Sequence, residues 1–367
     1  MKITTTKETL LPALIQTGSI VERRQTLPIL SSLLAKVKKG NMTLMATDLE
    51  VEVKTQVSVD SSDEGEFTLP ARKVVDICKA LPNGVPLTIE VEGDKAILRA
   101  GRGRYRLSTL PAGDYPNLEV AAATDHLTLS QGELKRLLEK TAFAMAQQDV
   151  RYYLNGMLFE ARPGLFRTVA TDGHRLALCD VAVDREETGE IQAIVPRKAV
   201  LELNRLLDAK SDTPVELQFS KGFLKAVLPE SSFATKLIDG RYPDYAKVIP
   251  TANTQDLVAH RETLRLALSR TAILSNEKFR GVRFQTSPGL LNLLAHNPEH
   301  EEAEEELEVE YSGEKMTIGF NVGYLLDVLS VLDDEEVRFG LIDPASSCVI
   351  TPKENTESKY VVMPMRI

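Results

Sequence analysis

The sequence predicts an α+β protein made of three tandem copies of one domain, because three patterns recur at intervals of about a third of the chain. Residues 70–77, which carry a proline followed by Arg-Lys, return as residues 196–203 and, in a drifted form, as residues 320–327. Two shorter patterns keep this interval: Ala46-Thr47-Asp48 returns as Ala170-Thr171-Asp172 and Ala295-His296-Asn297, and Tyr115-Pro116 returns as Tyr242-Pro243. The units are of domain size, whereas solenoid repeats have about 20–50 residues. The predicted domains are residues 1–124, 125–253 and 254–367.

Each domain is predicted to open with an amphipathic helix. In the second domain this helix covers residues 130–147, where Ser130 begins a capping-box match ahead of leucines at helical spacing. The equivalent helices are predicted within residues 7–20 and 261–275. Pro12 is acceptable in the first of them if it lies in the first turn.

A second helix is predicted in the middle of each domain, over residues 71–81, 196–208 and 320–332. The proline at the start of the first two copies suits a helix N-terminus. Residues 119–125 and 249–255 are small, polar and without periodicity, which predicts linkers between domains.

The remaining segments of each domain are predicted to form antiparallel strands. Apolar and polar residues alternate over residues 49–59, which predicts a half-buried strand with Glu52 on its polar face. Residues 87–92 and 96–99 are separated by Gly93-Asp94, so they predict a hairpin. Each domain therefore consists of two helices packed on antiparallel sheets.

The composition indicates a globular protein in a reducing compartment. Apolar residues make up 43% and charged residues 26% of the chain, which is ordinary. Cys78, Cys179 and Cys348 are far apart and match neither a disulfide framework nor a zinc pattern. No secretory apolar core follows Lys2, and no apolar run approaches the roughly 18–20 residues of a membrane span. We expect a cytoplasmic protein without a membrane partner.

The distribution of charge points to a polyanion despite the net charge of −9, which taken alone argues against nucleic acid. The six predicted helices together are net basic, whereas the rest of the chain is strongly acidic. Chance placement of a few charges on amphipathic helices would give the same pattern. The alternative is one basic helical surface, which is the electrostatic signature of nucleic-acid binding.

A second asymmetry lies between the first and third domains. Arg102, Arg104 and Arg106 alternate along a predicted strand and so share one face, while residues 299–310 contain eight glutamates. An acidic run is usually a solvated loop or helix face. Opposite charge at opposite ends of the chain also fits a head-to-tail contact between two copies, which can close into a ring.

No segment matches a catalytic, metal or cofactor motif. The segment that begins at Gly101 lacks the third glycine of a dinucleotide fingerprint, and the spacing of His296 and His300 also occurs by chance. Asp172 and His174 are predicted to lie in a turn between strands, because no nucleophile-elbow pattern accompanies them. We expect no catalytic residue, no metal and no cofactor.

The C-terminal residues 360–367 are apolar and carry two methionines. Chain ends are commonly frayed and polar, so this end has a structural or functional purpose. It either completes a sheet or contributes Met363, Pro364 and Met365 to an adaptable groove.

Several long strings make the chain closely similar to the bacterial sliding clamps, the beta subunits of DNA polymerase III. The strings are residues 26–30, 149–156, 171–176, 273–281 and 362–366, and the resemblance extends over the whole chain. It implies three tandem DNA-clamp domains per chain, and a head-to-tail homodimer that closes a six-domain ring around duplex DNA. Such a ring slides because it makes no base-specific contacts, and it gives the polymerase processivity.

The resemblance also implies three sets of functional residues. The implied DNA-binding residues are Arg24, Arg72, Gln148, Arg151, Tyr152, Tyr153 and Lys198. The implied partner-peptide pocket comprises Leu154, Thr171, Gly173, His174, Arg175, Leu176, Pro243, Lys247, Val248, Val361, Met363, Pro364, Met365 and Arg366. The implied dimer interface comprises Lys73, Arg102, Arg104, Tyr105 and Leu107 on one side and Ile273, Leu274, Glu299, Glu301, Glu302 and Glu305 on the other.

The implied partners are duplex DNA of any sequence, the alpha subunit of DNA polymerase III, the delta subunit of the clamp loader, and other polymerases and repair proteins that carry short linear motifs. At the pocket rim the chain has Ala246-Lys247 where close relatives can carry two arginines. Lys247 keeps one charge but lacks the planar fork of arginine, which weakens the expected contact.

Two other functions remain open from the sequence. A triplicated interaction scaffold would keep the peptide pocket without contacting DNA. A hydrolase would use Asp172 and His174, and it predicts that His174→Ala abolishes more than peptide binding.

Overall fold

The computed structural model describes residues 1–22, 27–185, 189–250 and 255–366. Six α-helices occur in these ranges, two in each predicted domain. They are α1 Lys7–Gly18, α2 Ala71–Ala80, α3 Gln131–Thr141, α4 Arg197–Leu206, α5 Arg261–Thr271 and α6 Val322–Val331. None of the described helices is long and apolar enough to cross a membrane.

The described ranges also contain twenty-four strands, numbered along the chain. The strands of the first predicted domain are β1 Lys2–Thr6, β2 Ser32–Lys38, β3 Asn41–Thr47, β4 Val51–Ser58, β5 Gly65–Pro70, β6 Pro86–Glu92, β7 Lys95–Ala100 and β8 Gly103–Ser108. Those of the second are β9 Asp125–Ser130, β10 Gly156–Arg162, β11 Leu165–Thr171, β12 Arg175–Ala182, β13 Ile191–Pro196, β14 Pro214–Ser220, β15 Phe223–Val227 and β16 Ser231–Lys236. Those of the third are β17 Gln255–His260, β18 Gly281–Ser287, β19 Leu290–His296, β20 Glu302–Glu308, β21 Met316–Asn321, β22 Glu336–Leu341, β23 Cys348–Pro352 and β24 Ser358–Val362.

The first compact unit comprises Met1–Gly132 and Leu201–Leu237. It contains a four-stranded sheet, β1-β6-β7-β8, and an eight-stranded sheet, β5-β2-β3-β4-β16-β15-β14-β9. The eight-stranded sheet combines strands of two predicted domains, because β4 pairs antiparallel with β16 and brings Val53 opposite Phe233. In this unit α1 packs against α2 and against β3 and β4.

The second compact unit comprises Glu133–Val200 and Ile238–Ile367, of which residues 186–188, 251–254 and 367 lie outside the described ranges. It has the same plan, with a four-stranded sheet β20-β19-β18-β21 and an eight-stranded sheet β13-β10-β11-β12-β24-β23-β22-β17. Here β12 pairs antiparallel with β24, so that Leu176 lies opposite Val361. Helix α5 packs against α6 and against β19 and β20.

The predicted order of elements within each domain was wrong at its start. A strand precedes the first helix in all three domains, namely β1, β9 and β17. These strands are five or six residues long, so their alternation is a weak signal beside the helix that follows. In β1, for example, only Ile3 and Thr5 are buried.

The helices themselves were predicted well, with two corrections. Pro12 lies inside α1 rather than in its first turn, where its missing N–H removes one helical hydrogen bond. The predicted helices over residues 130–147 and 261–275 are too long, because each ends in a single 3₁₀ turn, Ala142–Ala144 or Ala272–Leu274. The hairpin of β6 and β7 is confirmed.

Three predictions about charged strands are corrected. Glu52 is buried, because β4 is covered on both faces, and its carboxylate accepts the backbone N–H of Leu118 at 3.0 Å. Arg102 lies in the turn before β8, so only Arg104 and Arg106 belong to that strand. Five of the eight glutamates of the acidic run lie on β20 at the edge of its sheet, where charged side chains discourage pairing with other strands. Glu299 and Glu301 lie in the loop before that strand, so the expected loop is correct for them.

Candidate functional site

A cavity of about 290 Å³ opens in the second compact unit. Its walls come from the loop before β10, the turn between β11 and β12, the segment that follows Pro243, and the end of β24. The lining residues are Arg151, Tyr153, Leu154, Thr171, Gly173, Arg175, Leu176, Pro243, Asp244, Tyr245, Val248, Val361 and Met363. Beneath them lies a cluster of buried apolar side chains that includes Leu158, Val169 and Ile194. The cavity is therefore a mainly apolar recess with a few polar groups, as ligand pockets commonly are.

The turn between β11 and β12 has a left-handed backbone conformation that favours glycine. One carboxylate oxygen of Asp172 accepts the backbone N–H groups of His174 at 2.9 Å and Arg175 at 3.0 Å. Gly173 has a φ of +89°, and a Cβ there would lie 2.8 Å from a guanidinium nitrogen of Arg151. A larger residue would therefore strain the backbone and push Arg151 out of the cavity wall.

The same turn occurs in the first domain, which supports the repeat. Asp48 accepts the backbone N–H groups of Glu50 and Val51, as Asp172 accepts those of His174 and Arg175 at the equivalent place in the second domain. The position of Gly173 is occupied there by Leu49, whose φ is +78°. The first domain thus carries backbone strain at this turn that the glycine of the second domain removes.

Arg175 connects the cavity wall to three other segments of the same unit. Its guanidinium donates to the Asp172 carboxylate at 3.1 Å, to the Asp327 carboxylate and to the backbone carbonyl of Phe143 at 2.8 Å. The guanidinium carbon also lies 5.2 Å from the ring centroid of Phe143 and 4.5 Å from that of Tyr324. Only 12% of this side chain is exposed, so its contacts are largely desolvated.

Arg151 is held at the cavity rim by Asp149. The guanidinium donates to both carboxylate oxygens at 3.0 and 2.8 Å and to the backbone carbonyl of Asp172 at 3.0 Å. The hydrogen bonds from Arg151 lower the pKa of Asp149 to about 2. The pair therefore persists at all pH values above the ordinary aspartate range and is lost only as the pH falls towards 2.

Tyr245 lies in the cavity wall and is anchored by charged groups beneath it. Its hydroxyl donates to the buried carboxylate of Glu160 and accepts from Arg167 at 3.1 Å, while Arg167 holds Asp180 at 2.6 and 2.7 Å. Burial alone would raise the pKa of Glu160, but the hydrogen bond from Tyr245 and the charge of Arg162 outweigh it and lower that pKa. The network fixes the ring of Tyr245 against the apolar cluster.

Removing this hydroxyl is expected to destabilise the second unit. Tyr245→Phe leaves the buried Glu160 carboxylate with one hydrogen bond fewer, and we expect a loss of about 1–3 kcal/mol in the free energy of unfolding. Urea unfolding monitored by circular dichroism measures this loss. Tyr152→Phe is the matched control, since 57% of that ring is exposed, and it should change the midpoint little. Equal midpoints for the two variants would contradict the assigned network.

The C-terminal tail, defined here as residues 363–366, leaves the sheet and crosses the cavity edge. The backbone N–H of Met363 donates to the carbonyl of His174 at 2.9 Å, and that of Met365 donates to the carbonyl of Gly319 at 2.8 Å. Val362, in contrast, is fully buried in β24. Residues up to 362 therefore complete a sheet, and Met363, one of the three residues expected in a groove, lines the cavity.

Comparison with known proteins identifies the family to which this chain belongs. Sequence profiles of the N-terminal, central and C-terminal domains of the DNA polymerase III beta subunit match residues 1–119, 128–244 and 246–366. The chain belongs to the family of DNA polymerase III beta subunits, the beta sliding clamps. Its function is accordingly that of a sliding clamp for DNA polymerase III, a processivity factor without catalytic activity. The predicted α+β fold of three tandem clamp domains is confirmed.

Similar clamps cover the chain from end to end. The beta sliding clamps of Pseudomonas aeruginosa and Escherichia coli K12 are 50% and 48% identical, each over 100% of both chains. A crystal structure of the P. aeruginosa beta subunit has a TM-score of 0.97 at 50% identity, with 100% of both chains covered. Another P. aeruginosa sliding clamp, solved bound to griselimycin, also has a TM-score of 0.97, 50% identity and full coverage of both chains.

The cavity of this clamp contains nine of the fourteen residues assigned to the partner pocket. Of the other five, Met365 and Arg366 line a second cavity described below, while His174, Lys247 and Pro364 line neither. Lys247 is 80% exposed and forms an ion pair with Asp244 at 3.0 Å. The pocket assignment itself stays a prediction.

Four cavity residues were missed as pocket residues. Arg151 and Tyr153 had been assigned to DNA, and Asp244 and Tyr245 to no site. The signal for the last two was available, because they directly follow the repeated Tyr242-Pro243 pair. The charged partners of Tyr245 lie far away along the chain, so the sequence alone did not indicate its anchoring.

The residues predicted to contact DNA lie on separate elements. Arg72 is exposed on α2 of the first unit and makes no ion pair with a described residue, while Lys198 is half-buried on α4. Gln148 has a φ of +55°, and Tyr152 is 57% exposed beside Tyr153 in the loop before β10. Arg24 lies outside the described residues. Arg151 already forms an ion pair with Asp149, and the negative charge of that carboxylate weakens the attraction of Arg151 for a phosphate group.

The residues predicted for the dimer interface differ in accessibility. Lys73, Arg102 and Arg104 are exposed in the first unit, and Tyr105 is 36% exposed. Leu107 is instead buried in the core of that unit. In the second unit Ile273 is 76% exposed, Leu274 is half-buried, and Glu299, Glu301 and Glu302 are exposed. Glu305 pairs with Arg270 at 2.6 Å, and this hydrogen bond lowers its pKa. Leu107 and Glu305 are therefore already engaged within the chain.

The hydrolase alternative has no supporting geometry. The Asp172 carboxylate is occupied by backbone N–H groups and by Arg175, and its contact with His174 is to the backbone rather than to the imidazole. Among the described residues no group of three His, Cys, Asp or Glu side chains could hold a metal ion. The family membership assigns the chain to a class without catalysis.

Proposed function

We propose that two copies of this clamp associate head to tail into a six-domain ring around duplex DNA, and that the cavity holds short linear peptides of the proteins that the ring tethers. The observation that carries the proposal is the cavity of about 290 Å³, apolar inside and framed by Arg151 and Arg175. Its walls are ordered by hydrogen bonds before any peptide arrives, which reduces the entropy lost on binding. The similar P. aeruginosa clamp binds griselimycin, which supports a ligand pocket in this family.

The partners we propose for the cavity are the alpha subunit of DNA polymerase III, the delta subunit of the clamp loader, and further polymerases and repair proteins with short linear motifs. A narrow apolar recess suits a few anchoring side chains rather than a broad domain surface. Because each copy carries this cavity, a homodimer presents it twice, and different partners can occupy the two copies at once.

The proposed DNA contacts are electrostatic and independent of sequence. The exposed cation Arg72 makes no ion pair with a described residue, so it is available to phosphate. In the second unit several helix cations are instead paired, as Lys140 is with Asp333 and Arg265 with Glu262. A loosely held duplex suits a ring that must slide. A role in DNA replication supports a cytoplasmic location for the proposed ring.

The proposed dimer contact joins the first domain of one copy to the third domain of the other. Arg104 and Tyr105 on β8 present a basic edge, Glu302 on β20 presents an acidic one, and Ile273 adds an exposed apolar side chain. Complementary charge sets partner choice and register, while the apolar contact supplies affinity. A solution mass of about twice the 40.6 kDa chain would support the dimer.

Retention on DNA tests the ring. The clamp is loaded onto a nicked circular duplex and passed over a sizing column, then the circle is cut once with a restriction enzyme. A topologically linked ring stays with the circle and leaves the linear molecule. Equal retention on both would contradict the proposal. A scaffold that does not touch DNA would instead be retained on neither.

Freeing Arg151 is expected to strengthen DNA binding. Asp149→Asn removes the charge that pairs Arg151, so one more cation becomes available to phosphate. The plot of log affinity against log salt should then steepen by about 0.9, the slope for one phosphate contact on duplex DNA. Fluorescence anisotropy with a labelled duplex at several salt concentrations measures the slope. Asp343→Asn, which removes a half-buried carboxylate whose hydrogen bonds lie within its own turn, is the control. An identical slope in both variants would contradict the expectation.

A further inference from the structure

A second cavity, of about 350 Å³, lies in the same compact unit and is called here the accessory cavity. One wall is the loop that carries Asn276, Phe279 and Gly281, and another is the turn over residues 296–298. The third wall is the C-terminal tail, through Met365 and Arg366.

The accessory cavity is the third-domain counterpart of the first cavity. A constant interval of 125 residues relates Arg151 to Asn276, Leu154 to Phe279, and residues 171–173 to residues 296–298. Four of the positions related in this way, Arg151, Leu154, Thr171 and Gly173, line the first cavity. The repeat has therefore placed the same two loops around a recess in both domains.

The two cavities share the C-terminal tail as a wall. Met363 lines the first cavity and Met365 lines the accessory cavity. Two residues of extended chain span at most about 7 Å. Both tail residues are held by backbone hydrogen bonds, to His174 and to Gly319. A peptide that leaves the first cavity across the tail therefore reaches the accessory cavity within a few residues.

The walls of the accessory cavity are ordered by two asparagines. The side-chain oxygen of Asn276 accepts the backbone N–H groups of Lys278 and Phe279, at 3.0 and 2.9 Å. That of Asn297 accepts the N–H of Glu301 at 2.9 Å, and its amide donates to the Glu301 carboxylate at 2.6 Å. A preformed recess costs little ordering on binding.

The chemistry of the cavity selects an apolar side chain beside a negative charge. The ring of Phe279 is 57% exposed, an unusual state for phenylalanine, and the amine of Lys278 lies 5.3 Å from its centroid. Arg366 is exposed and forms no ion pair with a described residue. An aromatic ring can stack on Phe279 while a neighbouring carboxylate pairs with Arg366.

We propose that the accessory cavity binds residues of the partner protein that flank the linear motif held in the first cavity, with an aromatic side chain on Phe279 and an adjacent carboxylate on Arg366. This inference rests on the proposed peptide-binding function of the first cavity. It extends the interaction surface over the tail and makes affinity depend on residues outside the motif.

The test compares a short and an extended peptide. The short probe is the shortest segment of the same organism's polymerase III alpha subunit that competes with griselimycin for the full-length clamp. The extended probes add Phe-Asp at one end or the other. One of them should bind about 10-fold more tightly than the short probe, which corresponds to about 1.4 kcal/mol.

Two substitutions assign the gain to the cavity. Phe279→Ala should reduce or remove the gain and leave the affinity of the short probe unchanged. Arg366→Ala should also reduce or remove the gain, and because Arg366 is among the residues assigned to the partner pocket, the gain is measured against the short probe on the same variant. Leu266→Ala, which truncates an exposed apolar residue on α5, is the control and should keep the gain. The solution mass of each variant is compared with that of the original chain, so that a loss of dimer is recognised.

The possible outcomes separate the two claims. If the short probe binds but neither extension adds affinity, or if the gain survives both substitutions, the accessory cavity is not a docking site while the first cavity remains one. If no segment of the alpha subunit competes with griselimycin, the proposed function of the first cavity fails, and this inference fails with it.

Discussion

Deleting residues 363–367 is expected to lower the affinity for griselimycin and for polymerase peptides by about 100-fold or more, because Met363 forms one wall of the first cavity. The fold should persist, since the tail contributes few backbone hydrogen bonds and the carbonyls of His174 and Gly319 lie near enough to the surface to bond water. Isothermal titration calorimetry measures the affinity, and circular dichroism the fold.

The deletion must leave Val362 in place, so that a loss of binding can be assigned to the tail. Removing Val362 as well would take away a fully buried residue of β24 that pairs with Arg175 and Cys348, so a loss of binding would then reflect damage to the sheet. Met363→Leu is the matched control, because it keeps an apolar side chain of similar volume and should change affinity little. Unchanged binding after the deletion would show that peptides do not use this wall.

Arg175→Ala is expected to lower the free energy of unfolding of the second unit by about 3–5 kcal/mol, the range for breaking a largely buried ion pair. The substitution leaves Asp172 without its cation, removes the hydrogen bond to the Phe143 carbonyl and empties the space between two aromatic rings. Peptide affinity should fall too, because the turn at Gly173 loses its support.

Urea unfolding compares this variant with two others. Arg175→Lys keeps the charge but not the planar fork, so it should recover only part of the loss. Lys247→Ala removes an ion pair that is 80% exposed on the lysine side and should cost at most about 1 kcal/mol. A loss of the same size in Arg175→Ala and Lys247→Ala would contradict the central role of Arg175.

The repeats were sufficient to predict the class of fold. The prolines before α2 and α4 and the turn residues Asp48 and Asp172 act through local backbone conformation, which neighbouring residues determine. Short elements were harder to predict. The opening strands β1, β9 and β17 escaped prediction because five or six residues give little periodicity. Glu52 was misplaced because its burial depends on chain segments far away in sequence.

At the candidate site too, local sequence patterns could be predicted whereas contacts between distant segments could not. The strings at residues 149–156, 171–176 and 362–366 were sufficient to suggest a pocket, and residues from all three strings lie around one cavity. Tyr245 is held by hydrogen bonds to Glu160 and Arg167, which lie more than 70 positions away in the sequence. No local sequence pattern could therefore predict these contacts.

By itself, the sequence determined the threefold repeat, the helices and the family, since these follow from local propensity, periodicity and long identical strings. The tertiary structure decided which charges are free. It pairs Arg151 with Asp149 and Arg270 with Glu305, it buries Leu107, and it sets the accessory cavity beside the tail. Electrostatic pairing and burial depend on distances in space, and only the folded chain sets those distances.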